Sequence, residues 1–144
     1  MKKLLDVIVF GTPKGQPRPR AFAFKGKARV FDPGTAEHWK SQIAKAVQDY
    51  LPQQPHEGPM IVSMAFYFKR PKSHYTSKGK LTKSAQTQKM YHTSKPDFDN
   101  LEKAVSDCLT EIKFWKDDSQ VIQWTGYKFW TAADPKLELK ITTP

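Results

Sequence analysis

"KPDFDNLEKAVSDCLTEIKFWKDDSQVIQWTGYKFW", residues 95–130, changes rhythm half-way along, and that change decides the fold class. From about residue 100 to 113, Leu101, Ala104, Val105, Cys108, Leu109 and Ile112 recur at helical spacing, which predicts a helix with one apolar stripe. "KFWKDDSQ" (113–120) interrupts it as a loop, and "VIQWTGYKFW" (121–130) reads as a strand rich in aromatic and β-branched residues. A helix running so directly into a strand places both element types around one core.

Upstream, "LLDVIVF" (4–10) reads as a first strand, and the prolines and glycines of "GTPKGQPRPR" (11–20) exclude regular structure there. "AFAFKGKARVF" (21–31) predicts a hairpin turning at Lys25-Gly26-Lys27. Ala36, Trp39, Ile43, Val47, Tyr50 and Leu51 predict a helix over about 35–51, followed by a proline-rich connection (52–59). In "MIVSMAFYFKR" (60–70), Met60, Val62, Met64, Phe66 and Phe68 alternate along one face of a strand. Residues 71–94 are polar and basic without a sustained period, a loop with room for a helical turn within "SAQTQKMYHT". Loops of that length tend to be either functional or disordered. "LELKIT" (137–142) supplies a last strand, joined to the previous one through "TAADPK". The order predicts a single α+β domain over 1–144, its helices packed on a mixed or antiparallel sheet.

No apolar run approaches the roughly 20 residues a membrane-spanning helix needs. Asp6 interrupts the apolar N-terminal run, so "MKKLLDVIVFGTP" reads as a strand rather than a leader peptide. Cys108 is the only cysteine, which excludes an intrachain disulfide and fits a reducing cytoplasm. The net charge of +10 is unevenly spread: residues 1–96 hold 18 Lys/Arg against 5 Asp/Glu, whereas 97–144 hold 6 against 9. Six basic residues and no acid lie between Asp6 and Asp32, and eight with no acid between Glu57 and Asp97. Such segments suit a polyanion, whose condensed counterions are released on binding. A solubilising surface is the plainer reading of the same charge.

The acids of the quoted stretch have two readings. Asp99 is placed as an N-cap, and Glu102 three residues on completes a D-x-x-E capping box. Capping explains Asp97 less well, because a second aspartate two residues upstream adds little to the same cap. The alternative is half of a site for a hard divalent cation, which takes oxygen ligands. Asp117 and Asp118 return toward that site only if the chain after the helix doubles back, a geometry that is open but not forced; alone, "KDDSQ" is also an ordinary solvated turn. The four histidines show no paired spacing, and one cysteine cannot build a zinc centre. Lys103, one turn after Asp99, either pairs with Asp99 or Asp107 or stabilises a phosphate. Phe114 and Trp115 suit either base stacking or the core.

Residues 95–124 strongly resemble the core motif of the RusA-type Holliday junction resolvases of phages and prophages. That motif runs D-hydrophobic-D-N, a lysine four residues after the second aspartate, and a D-D-(S/A)-Q-(V/I) stretch. Here 19 residues separate Asp99 from Asp118. "GQPRPRA", "FKRPKSH" and the terminal "LELKIT" agree as well. The resemblance implies a homodimeric α+β protein with a mixed sheet and a dimer cleft. It implies an Mg²⁺-dependent endodeoxyribonuclease, with Mn²⁺ able to substitute, that nicks four-way junctions symmetrically in recombination and repair. It carries the catalytic acids onto Asp97, Asp99 and Asp118, the essential lysine onto Lys103 and the motif asparagine onto Asn100. Asp117 joins Asp97, Asp99 and Asp118 as a metal ligand. Lys14, Arg18, Arg20, Lys69, Arg70, Lys72 and Lys95 are then expected to hold DNA phosphates, which position DNA without reading its sequence. The expected setting is the cytoplasm of a bacterial host, with no membrane partner. Segment 71–94 is longer than the family pattern leads one to expect. Two rivals remain: a nuclease for flaps or other branched DNA, and a non-catalytic basic DNA-binding module.

Overall fold

A computed structural model describes residues 1–17, 20–24, 27–31, 36–88 and 90–144, with backbone alone for 20–24, 27–31 and 88. In chain order the elements are β1 (Lys3–Phe10), β2 (Arg20–Phe24), β3 (Lys27–Phe31), α1 (Glu37–Val47), β4 (Met60–Lys69), α2 (Lys83–Gln88), α3 (Phe98–Glu111), β5 (Val121–Thr131) and β6 (Lys136–Thr142). β1, β6, β4 and β5 form one sheet in that order. β6 pairs antiparallel with β1 and β4, and β4 pairs parallel with β5. A parallel pair needs a crossover, and α3 with the long segment before it provides one. The sheet is therefore mixed, and the architecture is α+β. β2 and β3 pair as the expected hairpin, but the turn residues Lys25 and Gly26 lie outside the described residues.

The alternation in β4 holds residue for residue. Met60, Val62, Met64, Phe66 and Phe68 are all buried, together with Leu5, Val7 and Val9 of β1 and Leu137, Leu139 and Ile141 of β6. Against this face lie Trp39, Ile43 and Val47 of α1 and Leu101, Ala104, Val105 and Leu109 of α3. Each such large side chain contributes about 1.5–3 kcal/mol by leaving water. Phe114 and Trp115 are fully buried, so the core reading of that pair is correct. α1 and α3 are clasped by Lys40, whose Nζ lies 2.9 Å from Glu111 Oε1 and 3.7 Å from Glu37 Oε1.

Three expectations change. The first helix ends at Val47, and a short 3₁₀ turn over Gln48–Tyr50 follows; Tyr50 and Leu51 are exposed, because the tighter turn rotates them off the apolar stripe. The third helix starts at Phe98 rather than near 100, with Asp97 as its N-cap. Segment 71–94 is largely built: a 3₁₀ turn (Lys72–His74), a Tyr75–Leu81 bridge, α2, and a Tyr91–Phe129 bridge against β5. Its anchors are histidines. His92 stacks on Phe68 at 4.2 Å and packs on Trp130 at 4.2 Å, while His74 meets Trp130 edge-on at 4.7 Å.

Candidate active site

The start of α3 is held by three contacts. Phe98 enters a notch in β5 that exists because residue 126 is glycine: a Cβ there would collide with the Phe98 ring. The same ring meets Phe66 edge-on at 5.9 Å. From the other side, residues 15 and 16 lie along the first turn. A Cβ on Gly15 would lie 3.0 Å from Asn100 Cβ and 3.2 Å from Pro96 Cβ, and the Gln16 N–H donates to the Asn100 carbonyl at 2.8 Å. The basic N-terminal loop is thereby seated beside the acids.

Asp97 occupies the N-cap position with extended backbone, yet its carboxylate makes no capping hydrogen bond. Asp99 lies in the first turn, so the expected Asp99–Glu102 capping box is not formed: the helix begins one residue before Asp99. The capping box lies elsewhere. Asp117 caps the 3₁₀ turn Asp118–Gln120, accepting from the Ser119 N–H at 3.3 Å, while Gln120 Oε1 accepts from the Asp117 N–H at 2.8 Å. Gln120 Nε2 then ties the turn to the carbonyls of His56 and Gly58, both at 3.0 Å.

After α3 the chain folds back against the second half of that helix. Asp117 and Asp118 line one shallow depression with Asp107, Thr110 and Glu111 of α3. Glu102 connects the two groups of acids. Its carboxyl is pushed above the ordinary range by burial and then by the negative charges of Asp99 and Asp118. Sequence reading had assigned Glu102 to a cap; its position three residues after Asp99 was the signal for a shared face. Asp117 is held below the usual carboxylate range by its bonds to Ser119. Lys103 pairs with Asp107, its Nζ 3.2 Å from Oδ2, rather than with Asp99.

Two further groups were not legible in the sequence. Lys128 of β5 donates to the Ser94 carbonyl at 2.6 Å; burial lowers the pKa of its ammonium, and the charge of Asp97 opposes that. Gln16 Oε1 and Asn100 Oδ1 are buried acceptors without a hydrogen-bond partner. Buried polar groups are normally paired, and these two sit at the start of α3, where the Gln16 N–H meets the Asn100 carbonyl. Of the expected phosphate contacts, Lys14, Lys69, Lys72 and Lys95 are exposed and Arg70 is half-buried, 3.4 Å from His74 Nδ1. Arg18 and the side chain of Arg20 lie outside the described residues. The oxygen donors of Asp97, Asp99, Glu102 and Asp118 fit a hard divalent cation in their chemistry. As they stand, no three His, Cys, Asp or Glu among the described residues are gathered closely enough to hold one.

The domain is α+β, with acids at the start of α3 inside a chain of net charge +10. The family described as Endodeoxyribonuclease RusA matches residues 11–142, and the chain belongs to that family of endodeoxyribonucleases. It is 35% identical over 137 residues to the uncharacterized protein YqaN of Bacillus subtilis, covering 95% of this chain and 94% of that one. It is 46% identical over 46 residues to the crossover junction endodeoxyribonuclease RusA of Escherichia coli K12 and to its counterpart in Enterobacteria phage 82. Those matches cover 32% of this chain and 38% of each relative. No helix of the described residues is long and apolar enough to cross a membrane.

Proposed function

We propose that the protein is a divalent-cation-dependent endodeoxyribonuclease that resolves four-way DNA junctions by paired nicks, acting as a homodimer in the bacterial cytoplasm in recombination and repair. The observation that supports this reading is membership of the Endodeoxyribonuclease RusA family over residues 11–142; after burial, Asp99 and Asp118, 19 residues apart, also both raise the pKa of the Glu102 carboxyl.

Asp97, Asp99 and Asp118 would hold Mg²⁺ or Mn²⁺, with Glu102 beside them; Asp117 is occupied by its cap. A cation held there supplies polarisation of the scissile phosphate and a low-pKa water. Lys103 lies at the exposed end of its pair with Asp107, so its ammonium can exchange that partner for a phosphate oxygen and stabilise charge developing in the transition state. Lys14 and Lys95 flank the helix start, Lys69 ends β4 and Arg70 and Lys72 come just after it, and these would hold the DNA backbone. Two sites related by a dyad account for nicks on two equivalent strands.

The test compares cleavage of a synthetic four-way junction, a flap and a linear duplex, each with Mg²⁺ and with Mn²⁺. The expected result is paired nicks in the junction, leaving 5′-phosphate and 3′-hydroxyl ends. Salt-sensitive binding without cleavage would sink the enzymatic reading, and faster cleavage of flaps would replace its substrate.

A further inference from the structure

Lys128 stands where a sheet normally carries an apolar residue. Side chains two residues apart in a strand share a face, so β5 presents Trp124, Gly126, Lys128 and Trp130 together. Both tryptophans pack on the core, and the missing Cβ of Gly126 makes room for the Phe98 ring. Across the parallel ladder, Lys128 is paired with Phe66, which is fully buried and meets the same ring. Lys128 is therefore aimed at the helix-bearing face beside the start of α3, and it is half-buried there. A lysine is rarely placed so unless its ammonium is paired.

Its partners lie in the chain that leads to the acids. Residues 90–94 run along the outer edge of β5, the last strand of the sheet. There the Trp130 N–H donates to the Met90 carbonyl at 2.6 Å, and the His92 N–H donates to the Lys128 carbonyl at 3.0 Å. Two residues further on, the Lys128 ammonium donates to the Ser94 carbonyl at 2.6 Å. Lys128 thus grips one segment twice, with its main chain and with its side chain. Only Lys95 and Pro96 separate Ser94 from Asp97, and the proline ring restricts the backbone between them. Asp97 makes no side-chain capping bond, so its place depends on this entry segment and on the helix that follows. The negative charge that acts on Lys128 is that of Asp97.

We infer that Lys128 is a positioning residue for the candidate active site: by holding the Ser94 carbonyl it sets the entry into α3, and with it the place of the Asp97 carboxylate. The inference rests on the nuclease reading of the proposed function and adds a residue to it. In this role Lys128 contacts neither DNA nor cation and acts through Asp97. The same fastening ties the order of segment 71–94, whose ring anchor is His92, to the helix start.

The experiment compares Lys128→Met and Lys128→Arg with wild type in the full chain. It reads single-turnover nicking of a synthetic four-way junction with Mg²⁺, junction Kd by gel shift, and the melting temperature. A further measurement, independent of catalysis, is hydrogen exchange at the Asn100 and Leu101 amides, both of which donate to the Asp97 carbonyl at 3.2 Å. Methionine keeps the apolar stem but removes the charge and the donor. Lys128→Met is expected to slow nicking at saturating protein by about 10- to 100-fold, with junction Kd and melting temperature near wild type and faster exchange at both amides. Lys128→Arg, which keeps the charge and a donor, nicks faster than Lys128→Met. A rate loss no larger than the fall in folded fraction would overturn the inference by making the role purely structural. A wild-type rate in Lys128→Met, or slowed nicking without faster exchange, would overturn it too. Weakened junction binding with an unchanged saturated rate would make Lys128 a phosphate contact instead. A wild type that nicks no DNA removes the nuclease reading, and exchange at Asn100 and Leu101 then decides by itself whether Lys128 places Asp97.

Discussion

Asp97 and Asp117 both stand at N-cap positions, and they use their carboxylates in opposite ways. Asp117 closes a full capping box, with Ser119 and Gln120 satisfying it and Gln120 tying the turn to the carbonyls of 56 and 58. Asp97 leaves the first turn of α3 without a side-chain cap, next to two buried acceptors that also lack partners. The two ends of α3 differ in the same way. At its C-terminus the N–H groups of Ile112, Lys113 and Phe114 return to Cys108, Thr110 and Leu109, and Trp115 Nε1 donates to Thr110 Oγ1 at 2.8 Å. Where the structure spends its polar groups on itself, stability is the product; where it withholds them, the polar groups are left for a ligand.

Asparagine at the two aspartates should break this pairing most sharply if it is wrong. Asp97→Asn, and likewise Asp99→Asn or Asp118→Asn, is expected to lower junction cleavage by about 100- to 1000-fold. Junction affinity in a gel-shift assay and the melting temperature should stay near wild type. Asp117→Asn keeps an acceptor for the cap and should retain most activity, whereas Asp117→Ala should lower the melting temperature. Loss of cleavage in Asp117→Asn as deep as in Asp97→Asn would erase the distinction.

Gly126→Val tests whether the helix start is positioned from β5. Its side chain occupies the Phe98 notch, so a loss of about 1–3 kcal/mol in denaturant unfolding is expected. A fall in cleavage should remain after correction for the unfolded fraction, because Asp97 and Asp99 flank the displaced ring.

The anchor of segment 71–94 should respond to pH. Burial, and then the positive charges of Lys128 and His74, hold the His92 imidazole below its ordinary range, with a backbone hydrogen bond opposing them. A lowered pKa means that the folded chain prefers the neutral ring. This contribution is therefore complete above about pH 6.5 and is lost as pH falls through the lower folded value. Hydrogen exchange over 71–94 should accelerate between pH 7 and pH 5, after correction for the intrinsic pH dependence of exchange. The same acceleration in His92→Phe, which keeps the ring packing and cannot protonate, would show that His92 is not responsible.

The smallest effect is expected at the closed end of α3. Lys113 adopts a left-handed backbone, φ 63°, in the turn that returns Phe114 to Leu109. Lys113→Gly relieves that conformation and should raise stability by up to about 1 kcal/mol in a urea melt, with cleavage unchanged.

The strand over 60–69 was legible residue by residue, because alternation records directly which face leaves water. The stripe on α3 was legible for the same reason, as were the hairpin pairing and the buried Phe114 and Trp115. The helix start was not: Asp97 and Asp99 are equally good caps by composition, and a notch at Gly126, 28 residues after Phe98, accompanies the earlier start. In segment 71–94 only the helical turn within 84–93 was legible, because the rest of its order comes from His74 and His92 packing on Trp130 and Phe68, contacts between residues distant in sequence. Glu102, Lys128 and Gln16 were missed because their meaning lies in what surrounds them.

By itself the sequence determined the element types, the core faces and the family motif, since each depends on local periodicity or on spacing along the chain. Tertiary structure alone decided the strand order β1-β6-β4-β5, which acids share one field, and which aspartate is spent on a cap. These follow from long-range packing and from the burial of particular polar atoms, and neither quantity has a local signature.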